Sequence, residues 1–241
     1  MKGIYRIAGP NVPIVGGAAG DELKFVQTSV FHNDVVVSGG AAALWIGSDK
    51  PLRVIARHGW ELIGVPMLVT RAEATEIVEI GGRPAALAYE EQLGLAPGRL
   101  SADKFWDTSI LHPLGMLQND GSSIIRVARA KTADDKLTIN GCVPPSGSAV
   151  QVMSGNADSL LSIVEEVASA AILGYPEAAA LLVFSCAARK VIFGERAPEE
   201  ADRLQAAAGE IPVFGLYCCG EFARSVGVLG THNATLTAFA L

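Results

Sequence analysis

The fold is decided by residues 180–217, which read ALLVFSCAARKVIFGERAPEEADRLQAAAGEIPVFGLY. Ala180 to Cys186 is a nearly continuous apolar run, typical of a strand buried on both faces. Pro198 and the two glutamates that follow it begin a helix, since proline and acidic side chains favour a helix N-terminus, and Gly209 ends it. Ile211 to Tyr217 predicts a second buried strand. This order predicts two parallel strands joined by a right-handed crossover.

The rest of the chain predicts many short strands and few helices. The other predicted strands are Val12 to Val15, Lys24 to Phe31, Asp34 to Val37, Ala41 to Ile46, Leu52 to Ala56, Val65 to Val69, Thr75 to Ile80, Ser123 to Ala128, Leu137 to Val143, Ala149 to Met153 and Thr235 to Leu241. Helices are predicted from Pro84 to Leu93 and from Asp158 to Leu173, the second with Asn156 and Asp158 as candidate caps. Residues 95–120 are predicted to be mostly loop. We therefore expect an α/β protein with mixed sheets.

An internal repeat relates residues 8–33 to residues 208–233. Each segment has an Ala-Gly helix stop, a proline-led apolar strand and a Gly-acid pair, and a His-Asn pair begins 12 positions after the glycine of the Gly-acid pair. This order of shared features predicts two duplicated lobes, residues 1–150 and 151–241. The first lobe lacks the opening strand of the second. We therefore expect an exposed edge beside Val12 to Val15 that a second copy covers, which predicts a homo-oligomer such as a dimer.

Composition excludes several classes of protein. Half of the 241 residues are hydrophobic and 18% are charged, which is enough apolar material for a core and too much for a disordered chain. The net charge of −6 argues against a nucleic-acid surface, because phosphate binding needs clustered basic residues. No apolar run approaches the ~20 residues of a membrane helix. The four cysteines form no C-x-x-C pair, so a reducing, cytoplasmic location is expected.

Motifs along the chain resemble the FIST proteins (F-box and intracellular signal transduction). Those that resemble the C-terminal part of the family are residues 184–189 (FSCAAR), 193–196 (FGER), 215–217 (GLY), 220–222 (GEF) and 232–237 (HNATLT). Those that resemble the N-terminal part are residues 16–21 (GGAAGD), 58–60 (HGW), 69–72 (VTRA) and 82–85 (GRPA). FIST proteins carry a longer N-terminal half, and this departure agrees with the shortened first lobe.

The resemblance implies an intracellular sensory domain that binds a small ligand. Amino-acid-like metabolites are ligands that it implies, and a bacterial branch of the family resembles haem proteins that sense nitric oxide. The signal would pass to a separate protein such as a histidine kinase or a cyclase. Haem is thus the cofactor that the resemblance allows.

Three residues in the N-terminal part are candidates for binding. His58 is able to ligate a haem iron or to hydrogen-bond a carboxylate ligand, with Trp60 as an apolar wall. The alternative is structural, with Gly59 making a turn and Trp60 filling a core edge. Arg71, like Arg189 further along, is able to bind an anionic ligand or to be a solvated charge.

The remaining candidates are two acidic and two thiol side chains. Glu221 and Asp21 each follow an apolar strand and are able to hold a ligand amine or to accept turn amides. Cys186 and Cys218 lie on or beside neighbouring predicted strands, where they line a pocket, ligate a soft metal, respond to oxidation or pack as small hydrophobic residues. No nucleophile elbow or phosphate loop is present, so the sequence favours a sensory module. The alternative is a small-molecule hydrolase or transferase that uses Cys186 or Glu221.

Overall fold

The computed structural model describes residues 2–50, 52–175, 177–224 and 230–241. The chain divides into two compact units, which we call unit 1 (residues 1–57 and 161–241) and unit 2 (residues 58–160). The fold is a mixture of helices and several sheets, as predicted. The division of the chain into two duplicated lobes, residues 1–150 and 151–241, stays a prediction. Within the described residues, every helix is too short or too polar to span a bilayer.

Helices and strands have the following bounds. The helices are α1 (Lys2–Ala8), α2 (Ala85–Gln92), α3 (Phe105–Ser109), α4 (Ala157–Leu161), α5 (Val164–Ile172), α6 (Ala187–Phe193) and α7 (Pro198–Ala208). The strands are β1 (Ile14–Gly17), β2 (Ser29–His32), β3 (Val35–Ser38), β4 (Val54–Arg57), β5 (Glu61–Leu62), β6 (Met67–Glu73), β7 (Glu76–Ile80), β8 (Arg83–Pro84), β9 (Leu114–Leu117), β10 (Ser123–Arg126), β11 (Ala128–Lys131), β12 (Leu137–Ile139), β13 (Ala149–Ser154), β14 (Leu181–Cys186), β15 (Val213–Cys218), β16 (Glu221–Arg224), β17 (Thr231–His232) and β18 (Leu236–Ala240).

The predicted strand-helix-strand segment forms the centre of unit 1. Strands β14 and β15 are parallel, in register from Leu181 opposite Val213 to Cys186 opposite Cys218. Helix α7 connects them and begins with Pro198, as predicted. The sheet order is β15-β14-β18-β4, with β18 and β4 antiparallel to their neighbours.

The expectation that Ile211 to Tyr217 forms a buried strand is wrong, because β15 is not buried on both faces. It lies at the edge of its sheet, and its central residues are exposed. Phe214 and Leu216 leave 60% and 54% of their surface in solvent. An apolar run cannot distinguish a central strand from an edge strand, since the sheet neighbours come from distant parts of the chain.

Two smaller sheets complete the strands of unit 1. In the first, β1 pairs antiparallel with β16, and β16 pairs with β17, so β1 lies at an edge. In the second, β2 and β3 form the predicted hairpin, with Asn33 at φ 51° in its turn. Asparagine tolerates this left-handed conformation better than most residues.

Unit 2 is built on a sheet whose main order is β10-β9-β13-β6-β7-β12-β11, to which β5 and β8 add short pairings. Helix α2 packs its buried alanines and Tyr89 into a core that includes Phe105, Leu114 and Val150. The Tyr89 hydroxyl donates to the carbonyl of His112 at 2.7 Å, so the buried phenol is satisfied.

Two sequence expectations about elements are wrong, and a third is made more precise. Residues 41–46 form no strand, because no neighbouring strand of the described chain pairs with them. Residues 95–120 are mostly loop, as predicted, and also contain the short elements α3 and β9, of which β9 is stabilised by its pairing with β10 and β13. The helix predicted from Asp158 to Leu173 is interrupted between α4 and α5 at Ser162 and Ile163, which are both weak helix formers.

Candidate functional site

A cavity of about 430 Å³ lies in unit 1 between α7 and the strands β14 and β15. The cavity follows the parallel pair from Val213 to Tyr217 and lies between these strands and the helix that connects them. Its apolar walls come from both strands and from Leu204 of the helix. The lining comprises Val183, Ser185, Glu200, Ala201, Asp202, Leu204, Gln205, Val213, Gly215, Leu216 and Tyr217.

The hydroxyl of Ser185 is the unusual polar group of this cavity. Ser185 is 4% exposed, and its Oγ has no hydrogen-bond partner. A buried hydroxyl without a partner costs about 1–3 kcal/mol, so most folds satisfy such groups. Since Ser185 also lines the cavity, its Oγ is placed to bond a polar atom of a ligand.

A buried ion pair forms the polar end of the same cavity. Arg189 of α6 is 0% exposed, and its Nε and Nη2 atoms lie 2.9 and 2.7 Å from Oε1 of Glu200. The guanidinium also stacks on the Phe193 ring at 5.2 Å. Burial and the charge of Glu200 raise the pKa of Tyr217, which keeps its phenol protonated. Arg189 therefore positions the Glu200 carboxylate at the cavity wall.

The charge of the lining is acidic. Glu200 and Asp202 contribute carboxylates, and the lining contains no lysine or arginine. Asp202 is exposed and forms no ion pair with a described residue. Because the buried Arg189 balances the charge of Glu200, the net negative charge of this wall comes from Asp202, which attracts a cation and repels phosphate or carboxylate groups.

Two thiols and a carboxyl group form a second buried cluster at the ends of the same strands. Cys218 Sγ lies 3.5 Å from Oε1 of Glu221, whose Oε2 accepts the backbone N–H of Thr235 at 3.2 Å. Cys186 is in register with Cys218 and also interacts with Glu221. Because side chains alternate along a strand, residues 186 and 218 face away from the cavity that Ser185 and Tyr217 line.

Burial controls the protonation of this cluster. Desolvation raises the pKa of Glu221 to about 8, despite the hydrogen bonds that its carboxylate accepts. Burial, and next the charge of Glu221, raise the pKa of both the Cys186 and the Cys218 thiol. Protonated, desolvated thiols are poor nucleophiles. The cluster thus consists of neutral, packed groups near pH 7.

Asp21, also predicted to bind a ligand, uses its carboxylate within its own loop. Its oxygens accept the backbone N–H groups of Phe25, Val26 and Gln27 at 2.9, 2.7 and 3.1 Å. These hydrogen bonds, that of Val26 foremost, lower the pKa of Asp21. The structure thus gives Asp21 the turn-bonding role that was the alternative reading.

The histidine candidate lies in unit 2 with both ring nitrogens engaged. Nδ1 of His58 accepts the backbone N–H of Trp60 at 2.9 Å, and Nε2 contacts Ser123 Oγ at 3.2 Å. Nδ1 therefore carries the lone pair and Nε2 the proton, which is the wrong tautomer for activating the serine. A haem iron would have to break one of these bonds, and haem binding stays a prediction. Trp60 is 5% exposed and fills the core edge.

The turn at Gly59 permits a close approach of backbone. Gly59 has φ +74°, and a Cβ there would lie 2.5 Å from the Ser159 carbonyl oxygen and 3.0 Å from Leu160 Cα. Gly59→Ala is expected to lower the free energy of unfolding by about 2 kcal/mol more than Gly82→Ala. Gly82 has φ +75° with no atom within 4 Å of a Cβ, so the comparison isolates the contact. Urea unfolding measures the difference, and equal losses would contradict this account.

The predicted site residues thus fall into different units of the chain. Cys186, Cys218, Glu221 and Arg189 come together in unit 1, whereas Arg71 of unit 2 is an exposed residue paired with Glu79 at 3.2 Å. No group of three His, Cys, Asp or Glu side chains in the described part of the chain is arranged to hold a metal ion.

Sequence reasoning missed four residues of the cavity: Ser185, Glu200, Asp202 and Tyr217. Ser185 and Tyr217 precede the cysteines that were singled out, so strand alternation was the available signal. Glu200 was interpreted only as a favourable charge in the first turn of a helix, and Asp202 was not singled out.

Comparison with known proteins identifies the family that the chain matches. Residues 1–83 match the family model described as the FIST N domain, and residues 85–224 match the FIST C domain. An uncharacterized protein of Mycobacterium bovis is 26% identical over 239 residues, covering 94% of this chain and 59% of that protein. One from Mycobacterium tuberculosis is 26% identical over 232 residues, covering 93% and 58%.

A third relative is an uncharacterized protein of the archaeon Methanocaldococcus jannaschii, 28% identical over 122 residues, which cover 47% of this chain and 24% of that protein. The chain spans about three-fifths of the length of the mycobacterial relatives. No solved structure matches it.

Proposed function

The chain belongs to the FIST family, whose domains are sensory domains in signal transduction, and from this premise we propose that unit 1 is a receptor for a small, amine-bearing, amino-acid-like metabolite. The observation that carries the proposal is the partnerless Ser185 hydroxyl in the wall of the cavity beneath α7. A ligand atom is the partner that this group lacks.

The charges of the cavity favour a cationic ligand group. An ammonium group is attracted to the Asp202 carboxylate, and Glu200, whose charge Arg189 balances, offers a carboxylate oxygen as a hydrogen-bond acceptor. Leu204, Val183 and Leu216 offer apolar surface to the ligand's side chain. The carboxylates of the lining disfavour haem in this cavity, since haem carries two propionates.

Signal output is proposed to occur through a separate protein such as a histidine kinase or a cyclase. The cavity lies between an edge strand and a helix, so ligand contacts with both would alter the position of α7 on β15. The alternative of a hydrolase or transferase using Cys186 or Glu221 receives no support from the chemistry of the cluster, because its thiols are buried and protonated.

Binding assays test this proposal. Thermal-shift screening and calorimetry with free amino acids, small amines and matched acids without the amine are expected to detect only amine-bearing ligands. Ser185→Ala should weaken binding by about tenfold, the value of one lost hydrogen bond. Asp202→Asn should weaken binding several-fold.

The control is Glu210→Gln, which changes an exposed acidic residue just beyond α7 and should leave affinity unchanged. Failure of every amine to bind, or binding that both cavity variants leave intact, would overturn the proposal. Haem binding should be tested in a separate experiment by absorption spectroscopy. A Soret band that shifts with nitric oxide and is lost in His58→Ala would identify a haem sensor instead.

A further inference from the structure

The β2–β3 hairpin exposes apolar side chains on both of its strands. Phe31, Val35 and Val36 leave 75%, 61% and 68% of their surface in solvent. Every residue of β3 is exposed. An isolated surface valine is ordinary, but a strand that is exposed along its whole length and rich in valine is a ready template for strand pairing.

The hairpin is also unsupported. In the described chain β2 pairs only with β3, and β3 pairs with no further strand. A two-stranded hairpin by itself is at best marginally stable in water, and a third strand or a packed face is needed. An additional strand along the outer edge of β3 would supply both hydrogen bonds and apolar cover.

The size of the apolar surface fits a dimer interface. Eight large apolar residues between positions 25 and 45 are exposed: Phe25, Val26, Phe31, Val35, Val36, Val37, Leu44 and Trp45. Together they expose on the order of 1,000 Å², divided between the two faces of the hairpin, so an interface along β3 that uses one face buries part of this area. Monomers seldom expose apolar patches larger than a few hundred Å².

The charge pattern favours a second copy of the same chain as the occupant. From residue 29 to residue 47 the one formally charged side chain is Asp34, although the chain carries a net charge of −6. Two copies repel each other over most of their surfaces and least over this neutral stretch. Asp34 lies in the turn beyond the strands, so pairing of two β3 strands opposes no like charges.

We propose that β3 is the dimerisation strand of this protein. Two copies pair their β3 strands antiparallel about a two-fold axis near Val36, which forms a four-stranded sheet across the interface. Phe31, which is directly opposite Val36 and shares its face of the hairpin, then packs beside the same face of the second copy. This interface does not depend on the ligand cavity, so ligand binding and dimerisation can fail separately.

Sedimentation and light scattering from low-micromolar to near-millimolar concentration test the interface. The full chain is expected to be a dimer and Val36→Lys a monomer, because a lysine at the axis places two like charges opposite each other. Val191→Lys serves as the control, since Val191 of α6 is 51% exposed and lies outside the hairpin, and this variant should remain dimeric. Circular dichroism checks that both variants fold.

Cross-linking provides a second measurement. Val36→Cys in a Cys142→Ser background should form an intermolecular disulfide on mild oxidation, because directly opposed residues of antiparallel strands lie within disulfide range. Removal of Cys142 eliminates the exposed native thiol. Val191→Cys in the same background should not cross-link. A wild-type chain that stays monomeric, or a dimer that survives Val36→Lys, would overturn the proposal.

Discussion

Replacement of Arg189 by methionine is expected to lower the free energy of unfolding by about 3–5 kcal/mol, because it leaves the Glu200 carboxylate buried without its cation. Both side chains are almost fully removed from water, and two guanidinium nitrogens contact one carboxylate oxygen. Methionine preserves much of the packing against Phe193, so the loss in unfolding free energy measures the effect of removing the charge rather than the effect of removing side-chain volume.

Two variants make this result specific. Arg189→Met combined with Glu200→Gln should recover a large part of the stability, since neither buried charge remains. Arg203→Met removes the exposed pairs with Glu165 and Glu199 and should cost less than about 1 kcal/mol. Chemical unfolding monitored by circular dichroism measures all three. A loss for Arg189→Met no larger than for Arg203→Met would show that the buried pair is not important for folding.

The stability of the protein is expected to fall as pH rises from about 5 to about 8, through the buried carboxyl of Glu221. Its pKa in the folded state is about 8, against an ordinary value of 4.5. Between these values the unfolded chain has lost the proton that the native chain keeps, so rising pH favours unfolding. The contribution is fully present below about 4.5 and is lost as pH passes the folded pKa, for a total of a few kcal/mol.

Glu221→Gln isolates this effect. The amide stays neutral at every pH, and its oxygen is still able to accept the Thr235 N–H. The difference in unfolding free energy between wild type and Glu221→Gln should therefore move in favour of glutamine as pH rises to about 8. Glu210→Gln, which changes an exposed side chain, should not alter the slope. A difference that does not vary with pH would mean that Glu221 is ionised in the native state.

Local sequence patterns predicted much of the fold. The apolar run before α7, the proline at its first position and the glycine after Ala208 gave the parallel crossover correctly. The capping role of Asn156 was also correct, since its Oδ1 accepts the Ser159 N–H at 3.0 Å. Strands with their own turn residues, such as β2 and β3, were likewise predictable. These features depend on residues close in sequence.

The cavity between α7 and the strands β14 and β15 was only partly predictable. Arg189, Cys186 and Glu221 were singled out, but the cavity itself is lined by Ser185, Glu200 and their neighbours. Whether Glu200 faces solvent or a buried arginine depends on how α7 packs on the sheet, and a charge in the first turn of a helix is normally solvated.

By itself the sequence determined which segments become strands and helices around residues 180–217, and the family to which the chain belongs. Tertiary structure alone decided that β15 is an edge strand, that Ser185 lacks a partner, that both His58 nitrogens are occupied and that β3 is uncovered. The physical reason is the sequence separation over which each kind of interaction acts. Helix caps and hydrophobic periodicity act between residues a few positions apart, whereas burial, charge pairing and strand neighbours depend on segments more than a hundred residues apart, such as β4 and β18.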